Sequence, residues 1–451
     1  MASMVVDHRN VGAAFRRLSI PVGVQLLGDQ LLGIVDTIAI GSLGVVALAG
    51  ATAAGTLFLT VAFLLAGFCS GISIIGAQRI GNHDVEGFAR SIRAGALVTT
   101  SVAIAAAAVS LFGAHAAVNA IAGNLPSAPA SATYLILRCA CLLPMAVSGT
   151  LIVGLGAAGN QKLGVLVIAI VNLVHIPLLL VLCLGWWTHH PFGIAGAGVS
   201  SLISETIAAG YAVYYTWKRP VYRIFSRWEW NWRLAYECAR LGSPEAVFLF
   251  VIMLPDVLIV AMLAPLGAEA VSAFRALNIV SDLTFVVPIP LQSAVQTIIG
   301  QRLGARDVPG AQWFFARGRR VALWVSTIAG IAIAICARPL AYVFTLNAQV
   351  AASAALPLAL HTITLPLKSW AMVSMAPIRA AGDTRFSMAM GIVCALLVPP
   401  FAYLGIVRLH IGLYAVPFAW IVAWTARGAL TEFKLLGGEW TRTPALADQG
   451  L

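Results

Sequence analysis

Apolar residues run through this chain in long unbroken stretches, and the breaks between stretches are marked by Gly, Pro, Asn, Asp or basic residues. Stretches of about 20 residues match the length an α-helix needs to cross about 30 Å of hydrocarbon. Because the stretches are continuous, they do not fit a membrane barrel, whose strands alternate apolar and polar positions over about ten residues. The pattern predicts twelve helices, near residues 18–42, 47–80, 91–117, 130–157, 162–186, 193–217, 241–266, 270–303, 314–338, 351–380, 385–407 and 411–436. The predicted fold class is all-α, a polytopic membrane protein with twelve transmembrane helices.

The polar landmarks between the helices repeat. Gln78-Arg79-Ile80-Gly81, followed by Asp84-Val85 and Gly87, recurs as Gln301-Arg302-Leu303-Gly304, followed by Asp307-Val308 and Gly310, an offset of 301 − 78 = 223 residues. Leu18 to Pro21 and Leu241 to Pro244 keep that offset, as do Leu43-Gly44 and Leu266-Gly267. So do Ala157 to Asn160 with Ala380 to Asp383, and Pro177 with Pro400. A motif returned to the same side of a membrane requires an even number of spans per repeat, and six fits the pattern. The expected architecture is two parallel six-helix repeats around a central cleft, related by an axis along the membrane normal. The lobes are read as 1–217 and 241–451, with residues 218–240, rich in Trp and Arg, as a cytoplasmic connector. Two such bundles rocking about a midplane site are the mechanical basis of alternating access, so transport is the expected function.

Composition supports this reading. The chain has 451 residues, 60% apolar and 10% charged, against about a quarter charged in soluble domains. Its net charge of +11 raises the question of nucleic acid, which the placement of the basic residues answers. With both termini cytoplasmic, 23 of the 28 Lys and Arg fall on the inner side and only Arg338 and Arg408 outside, while Arg138, Arg275 and Lys368 lie within apolar runs. The excess therefore reports membrane orientation, with no nucleic-acid partner. The seven cysteines are scattered through apolar helices and read as small hydrophobes, with no metal-type spacing. The basic N-terminal stretch reads as a cytoplasmic lead-in rather than a removed signal.

A charge near the bilayer centre costs about 2.5–3.5 kcal/mol, so each one calls for an explanation. Asp36, in the first helix, is a candidate proton or sodium site, or else a carboxylate satisfied by neighbouring helices. Asp29 lies two turns earlier on nearly the same face. In the fifth helix Asn172 is placed to share an ion site with Asp36, and His175 is a candidate coupling group or a packed polar side chain. Ser201 and Glu205 mark the middle of the sixth helix as possible cavity groups. In the second repeat, Asp256 and Lys368 either pair with each other or line a cavity. Arg275 and Asp282 invite the same pairing, and Arg138 stands close enough to a helix end to snorkel. No catalytic constellation, metal motif or nucleotide-binding motif is present, so an enzyme is not expected.

These segments resemble the multidrug and toxic compound extrusion (MATE) family of the multidrug, oligosaccharide-lipid and polysaccharide flippase superfamily, from Leu18 to about Leu436. The markers are LSIP at 18–21, VDT at 35–37 followed by IGSLG, the AQRIG and GQRLG helix ends, GAAGN at 156–160 and RAAGDTR at 379–385. The resemblance implies export of drug-like, often cationic and amphipathic compounds in exchange for protons or sodium. It further implies a helix-bending role for Pro21 and a cation-coupling role for Asp36 and Asn172. The branch named after the DNA-damage-inducible protein F often has a second aspartate four residues after that asparagine; here the position is Ile176. In the other bacterial branch an acid helps bind sodium where this chain has Lys368. The balance favours the first branch and, slightly, protons. No cofactor is implied, and the expected setting is a bacterial-type inner membrane, as a monomer. The alternatives are a lipid-linked oligosaccharide flippase or an organic-anion exporter, in which Arg275 and Lys368 would hold the anion; a membrane enzyme is a distant third.

Overall fold

The computed structural model describes residues 11–122, 128–186, 191–226, 231–345 and 348–442. His189 and His190 and most of the basic lead-in lie outside the described residues. All regular structure in the described residues is helical. The first repeat supplies α1 (Val11–Gly41), α2 (Val45–Gly81), α3 (Val85–Ala122), α4 (Ala128–Ala157), α5 (Lys162–Leu182) and α6 (Gly193–Trp217). The second supplies α7 (Trp232–Val251), α8 (Leu254–Leu263), α9 (Ala268–Thr284), α10 (Pro288–Gly304), α11 (Val308–Ile335) and α12 (Ala337–Thr345). It continues through α13 (Ala348–His361), α14 (Thr364–Ala380), α15 (Thr384–Tyr403), α16 (Ala415–Leu436) and the short α17 (Glu439–Arg442). Helix α7 begins inside the segment read from sequence as the connector.

Eleven helical stretches in the described residues are long and apolar enough to cross a membrane. The remaining member of the twelve is α6, 25 residues long, whose Gly, Ser, Thr and Glu205 dilute its apolar character. Three second-repeat spans that the sequence presents as continuous are broken in the middle, between α7 and α8, α9 and α10, and α13 and α14. Each break falls just before a proline, at Pro255, Pro288 and Pro366. Proline lacks the amide that would bond the carbonyl four residues back, and its ring crowds that carbonyl. The first-repeat positions 223 residues earlier are Leu32, Leu65 and Leu143, and there the helices run on.

The chain divides into two compact units. The first comprises residues 24–246; the second takes 247–450 together with the described residues up to Gly23. Each unit therefore includes the opening segment of the other repeat's first helix, and the changes of unit fall close to Pro21 and Pro244. In the first unit, Gly67 of α2 lies against the backbone of Ala246, Gly71 against the carbonyl of Cys238, and Gly242 of α7 against the backbone of Phe68. Small residues at such crossings let helix backbones approach closely. In the second unit, Phe15 stacks on Phe314 with ring centroids 5.4 Å apart and packs over Gly318.

The 223-residue repeat has a structural counterpart within each unit. Arg79 Nη1 donates to Asp84 Oδ2 at 2.7 Å, and the Gly87 amide donates to Asp84 Oδ1 at 2.7 Å. In the second unit Arg302 donates to Asp307, and the Gly310 amide donates to Asp307 Oδ1 at 2.9 Å. The recurring arginine thus holds the aspartate that caps the next helix. His83 and Arg306, at equivalent positions in the two turns, share left-handed backbone at φ 58° and 59°. The trailing glycine is required by space: a Cβ at Gly87 would stand 2.0 Å from Asp84 Oδ2, and one at Gly310 would stand 2.1 Å from Asp307 Oδ2. Gly87→Ala is expected to swing Asp84 away from both partners and to cost about 1 kcal/mol, the usual worth of a helix cap. Thermal unfolding of the purified protein checks this; an unchanged Tm would show that the cap tolerates a methyl group.

Candidate functional site

In the first unit, α1, α4, α5 and α6 bring together polar groups separated by up to 169 residues of sequence, from Asp36 to Glu205. His175 is fully buried, at 0% exposure, and its Nε2 lies 2.7 Å from Asp36 Oδ1. Arg138 Nη1 lies 4.0 Å from Asp36 Oδ2 and donates to Ser201 Oγ at 2.9 Å. The Arg138 guanidinium also packs over the Phe58 ring, 4.2 Å from its centroid. A guanidinium stacked on an aromatic face and bonded to a hydroxyl is held in place, which fixes a positive charge beside the Asp36 carboxylate. Arg138 therefore does not snorkel, as its position near a helix end suggested, but turns inward. Glu205 lies within the electrostatic reach of Arg138 and His175. The charges that hydropathy reading counts as separate costs thus share one another's fields.

Asn172 sits one turn before His175 on α5. Its Nδ2 donates to the carbonyls of Gly28 at 3.2 Å and Ile168 at 2.9 Å, while its Oδ1 is buried with no hydrogen-bond partner among the described residues. Asn172 thus ties α5 to α1 near Asp29 rather than bonding Asp36 directly. Asp29 itself is exposed on the unit, and Pro21 lies within the continuous helix α1, in the segment belonging to the second unit. Pro177, two residues beyond His175, leaves the Leu173 carbonyl without its usual amide donor.

His175 Nδ1 is buried and unpartnered among the described residues, so no hydrogen bond there fixes the ring tautomer. With Asp36 ionised, Nε2–H donates to Oδ1. With Asp36 protonated, the carboxylic O–H donates to Nε2 and the ring carries its hydrogen at Nδ1. Both charge states are therefore hydrogen-bonded at the same heavy-atom positions. The sequence singled out Asp36 and His175 separately; their pairing across 139 residues has no local signature.

In the second unit, Asp256 and Lys368 do not form the ion pair that their helices allowed. Among the described residues, Lys368 Nζ instead donates to Ser281 Oγ at 2.9 Å and Thr284 Oγ1 at 3.2 Å. Arg275 and Asp282, both exposed on the unit, do not pair either.

A family model described as MatE matches the chain twice, over residues 21–181 and 244–404. The two matches start and end 223 residues apart (244 − 21 and 404 − 181), the offset of the internal repeat. The chain belongs to the MatE family. This MatE protein is a multi-pass membrane transporter built as two six-helix repeats. It is 25% identical over 340 residues to a probable multidrug resistance protein NorM of Aromatoleum aromaticum, covering 73% of this chain and 72% of that one. It is 26% identical over 352 residues to an FAD transporter of Shewanella oneidensis, covering 75% and 76%. Among solved structures, a MATE protein in the bent conformation superposes with a TM-score of 0.88 at 18% identity, over 98% of each chain. A superfamily transporter from Pyrococcus furiosus, described as having a binding pocket of reverse polarity, gives 0.87 at 19% identity over 96% of each. These structural matches speak to the MatE fold, and the relatives' names to their own cargo.

Proposed function

We propose that this MatE protein is a proton-coupled antiporter that exports drug-like, cationic and amphipathic compounds by alternating access. Its place is a bacterial-type inner membrane, with both termini cytoplasmic. The observation that carries the coupling reading is the contact of Asp36 with buried His175 beside Arg138. An acid that keeps a hydrogen-bond partner in either charge state can load and release a proton without rebuilding its surroundings. Sodium, as a hard cation, favours a shell of oxygen ligands, whereas here one carboxylate oxygen faces a guanidinium and the other an imidazole. Asp36 therefore suits a proton better than a metal ion, and His175 and Arg138 act as its positioning partners. Asn172 joins the site indirectly, through the α1–α5 contact at Gly28.

Proteoliposomes loaded with a cationic dye test the coupling. A pH gradient is expected to drive dye movement, while a sodium gradient at equal pH is not. Movement under sodium alone would overturn proton coupling, and movement under neither would overturn the antiporter reading. Replacing the guanidinium gives a second expectation. In Arg138→Gln the fixed positive charge beside Asp36 is gone, so proton-driven export is expected to fall about 5- to 150-fold, the range of a coupling free energy of about 1–3 kcal/mol. Equal rates in wild type and variant would mean that Arg138 merely fills space.

A further inference from the structure

Two helices of the second unit carry arginines where their apolar runs begin. Arg16 and Arg17 are the last charges before the apolar run of α1, and Arg317, Arg319 and Arg320 are the last before that of α11. The helices meet at this level, since Phe15 stacks on Phe314 and packs over Gly318. They are the first and ninth spans and so run in the same direction. At about 100° per residue, Arg16 stands about 100° round α1 from Phe15 in one sense. Trp313, Arg317 and Arg320 stand about 60–120° round α11 from Phe314 in the opposite sense. For parallel helices, opposite senses mean the same side of the crossing. Arg317 accordingly lies over the Trp313 ring, 4.6 Å from its centroid. Arg319 falls on the other side, where it donates to Glu432 at 2.6 Å, and Arg17 falls on the side of α1 away from α11.

The acids at this end of the unit are engaged elsewhere. Asp307 is held by Arg302, Glu432 by Arg319, and Asp383 and Glu439 by Lys434. Arg16, Arg317 and Arg320 are exposed, and none of them makes an ion pair among the described residues. Three like charges on one side of a helix crossing repel one another until an anion joins them. The duplication does not account for the cluster, because the positions 223 residues away hold Ala239, Ala94 and Leu97. Beyond the arginines the same face of α11 turns apolar and stays exposed, through Trp324 at 67% and Ile328 at 64%. On α1 the exposed Ile20 follows Arg16 by one turn.

We infer that the α1–α11 crossing binds an anionic membrane phospholipid, whose phosphate bridges Arg16 on one helix and Arg317 and Arg320 on the other. Guanidinium groups suit phosphate oxygens through paired, charge-assisted hydrogen bonds, and basic clusters between membrane helices select anionic headgroups. Trp313 stands at headgroup level, where indole rings are favoured, and an acyl chain runs along Trp324 and Ile328. An apolar stripe alone would accept any lipid; the unpaired arginines are what select a negative one. A choline headgroup would bring its own cation to three guanidiniums, and free phosphate would leave the stripe unused. The inference concerns the surrounding lipid and stands apart from the coupling proposed at Asp36.

Equilibrium binding of radiolabelled dioleoyl phosphatidylglycerol to the purified full-length protein, in uncharged detergent micelles and with no ion gradient, tests it. Radiolabelled dioleoyl phosphatidylcholine, with the same chains, is the comparison. Phosphatidylglycerol is expected to bind about 100-fold more tightly, from about fivefold for each of the three arginines. Arg16→Gln and Arg317→Gln should each raise its Kd about fivefold, and the two together about 25-fold. Arg17→Gln removes an equal charge from the far side of α1 and should leave the Kd unchanged. Phosphatidylcholine binding should be the same in every variant, which also shows that each is folded; if Arg317→Gln loses it, Arg320→Gln replaces that variant with the same expectation. Equal affinities for the two lipids, equal losses in Arg16→Gln and Arg17→Gln, or displacement by inorganic phosphate as effective as by unlabelled phosphatidylglycerol would each overturn the inference. Because no gradient is present, failure of proton coupling at Asp36 leaves these readings intact.

Discussion

In vesicles carrying Asp36→Asn, export of a cationic dye under a pH gradient is expected to fall to the level of vesicles without the protein. The substitution is nearly isosteric, so packing around α1 is preserved, and the amide can still hydrogen-bond His175 at a position where the carboxylate now sits 2.7 Å away. What is lost is the ability to change charge. An antiporter needs the proton and the cargo to compete through the protein, and a site that cannot ionise cannot take part in that exchange. A coupling free energy of about 1–3 kcal/mol corresponds to a change of about 5- to 150-fold in the affinity of one ligand caused by the other. The informative readout is therefore a pair: dye affinity at low and high pH should differ in wild type and coincide in the variant. Wild-type export by Asp36→Asn would sink the coupling role of this residue.

Gly67→Val is expected to have the largest effect on stability of any single substitution considered for the helical framework. A Cβ at Gly67 would stand 2.3 Å from Ala246 Cα and 2.4 Å from its amide nitrogen, and backbone atoms cannot turn aside as a side chain can. Four residues on, a Cβ at Gly71 would stand 2.3 Å from the Cys238 carbonyl oxygen, so the pair forms a small-xxx-small crossing of α2 over α7. Forcing a branched side chain into that crossing separates the two helices, at a cost of about 1–3 kcal/mol or more. Gly55, on the same helix, offers the control, because a Cβ there meets nothing within 4 Å. Thermal unfolding in one detergent should show a Tm several degrees lower for Gly67→Val and little change for Gly55→Val. Equal Tm values for the two would refute close backbone packing as the basis of this contact.

Much of the framework is legible in the amino-acid sequence because its signals are local. Span length follows from hydrocarbon thickness, and the repeat can be read from polar residues whose job is local too, such as the arginine that holds the next helix's cap five residues on. The three helix breaks are half legible: Pro255, Pro288 and Pro366 are visible, but hydropathy treats the residues around them as one span. Pro21 shows why proline alone does not decide the matter, since α1 continues through it. The site is less legible. Asp36 and His175 stand out as polar residues in apolar runs, yet nothing near either one announces the other. Arg138 is misplaced by its distance from a helix end, because snorkelling competes with a carboxylate, a hydroxyl and an aromatic face that only folding brings within reach. Lys368 shows the reverse: an ion pair looked available, and neutral hydroxyls took the ammonium instead.

The exchange of opening segments between the two units has a consequence for how the protein can be made. Residues up to 246 complete the first unit, so a ribosome that has finished α6 has not yet produced the stretch of α7 that covers Gly67 and Gly71. The first repeat must wait, with its glycine crossing uncovered, while the second repeat's first helix is inserted. Assembly is therefore interleaved rather than one repeat at a time. A gene cut between α6 and α7 would yield two polypeptides, each holding a part that the other needs, and only their joint expression would restore a closed first unit.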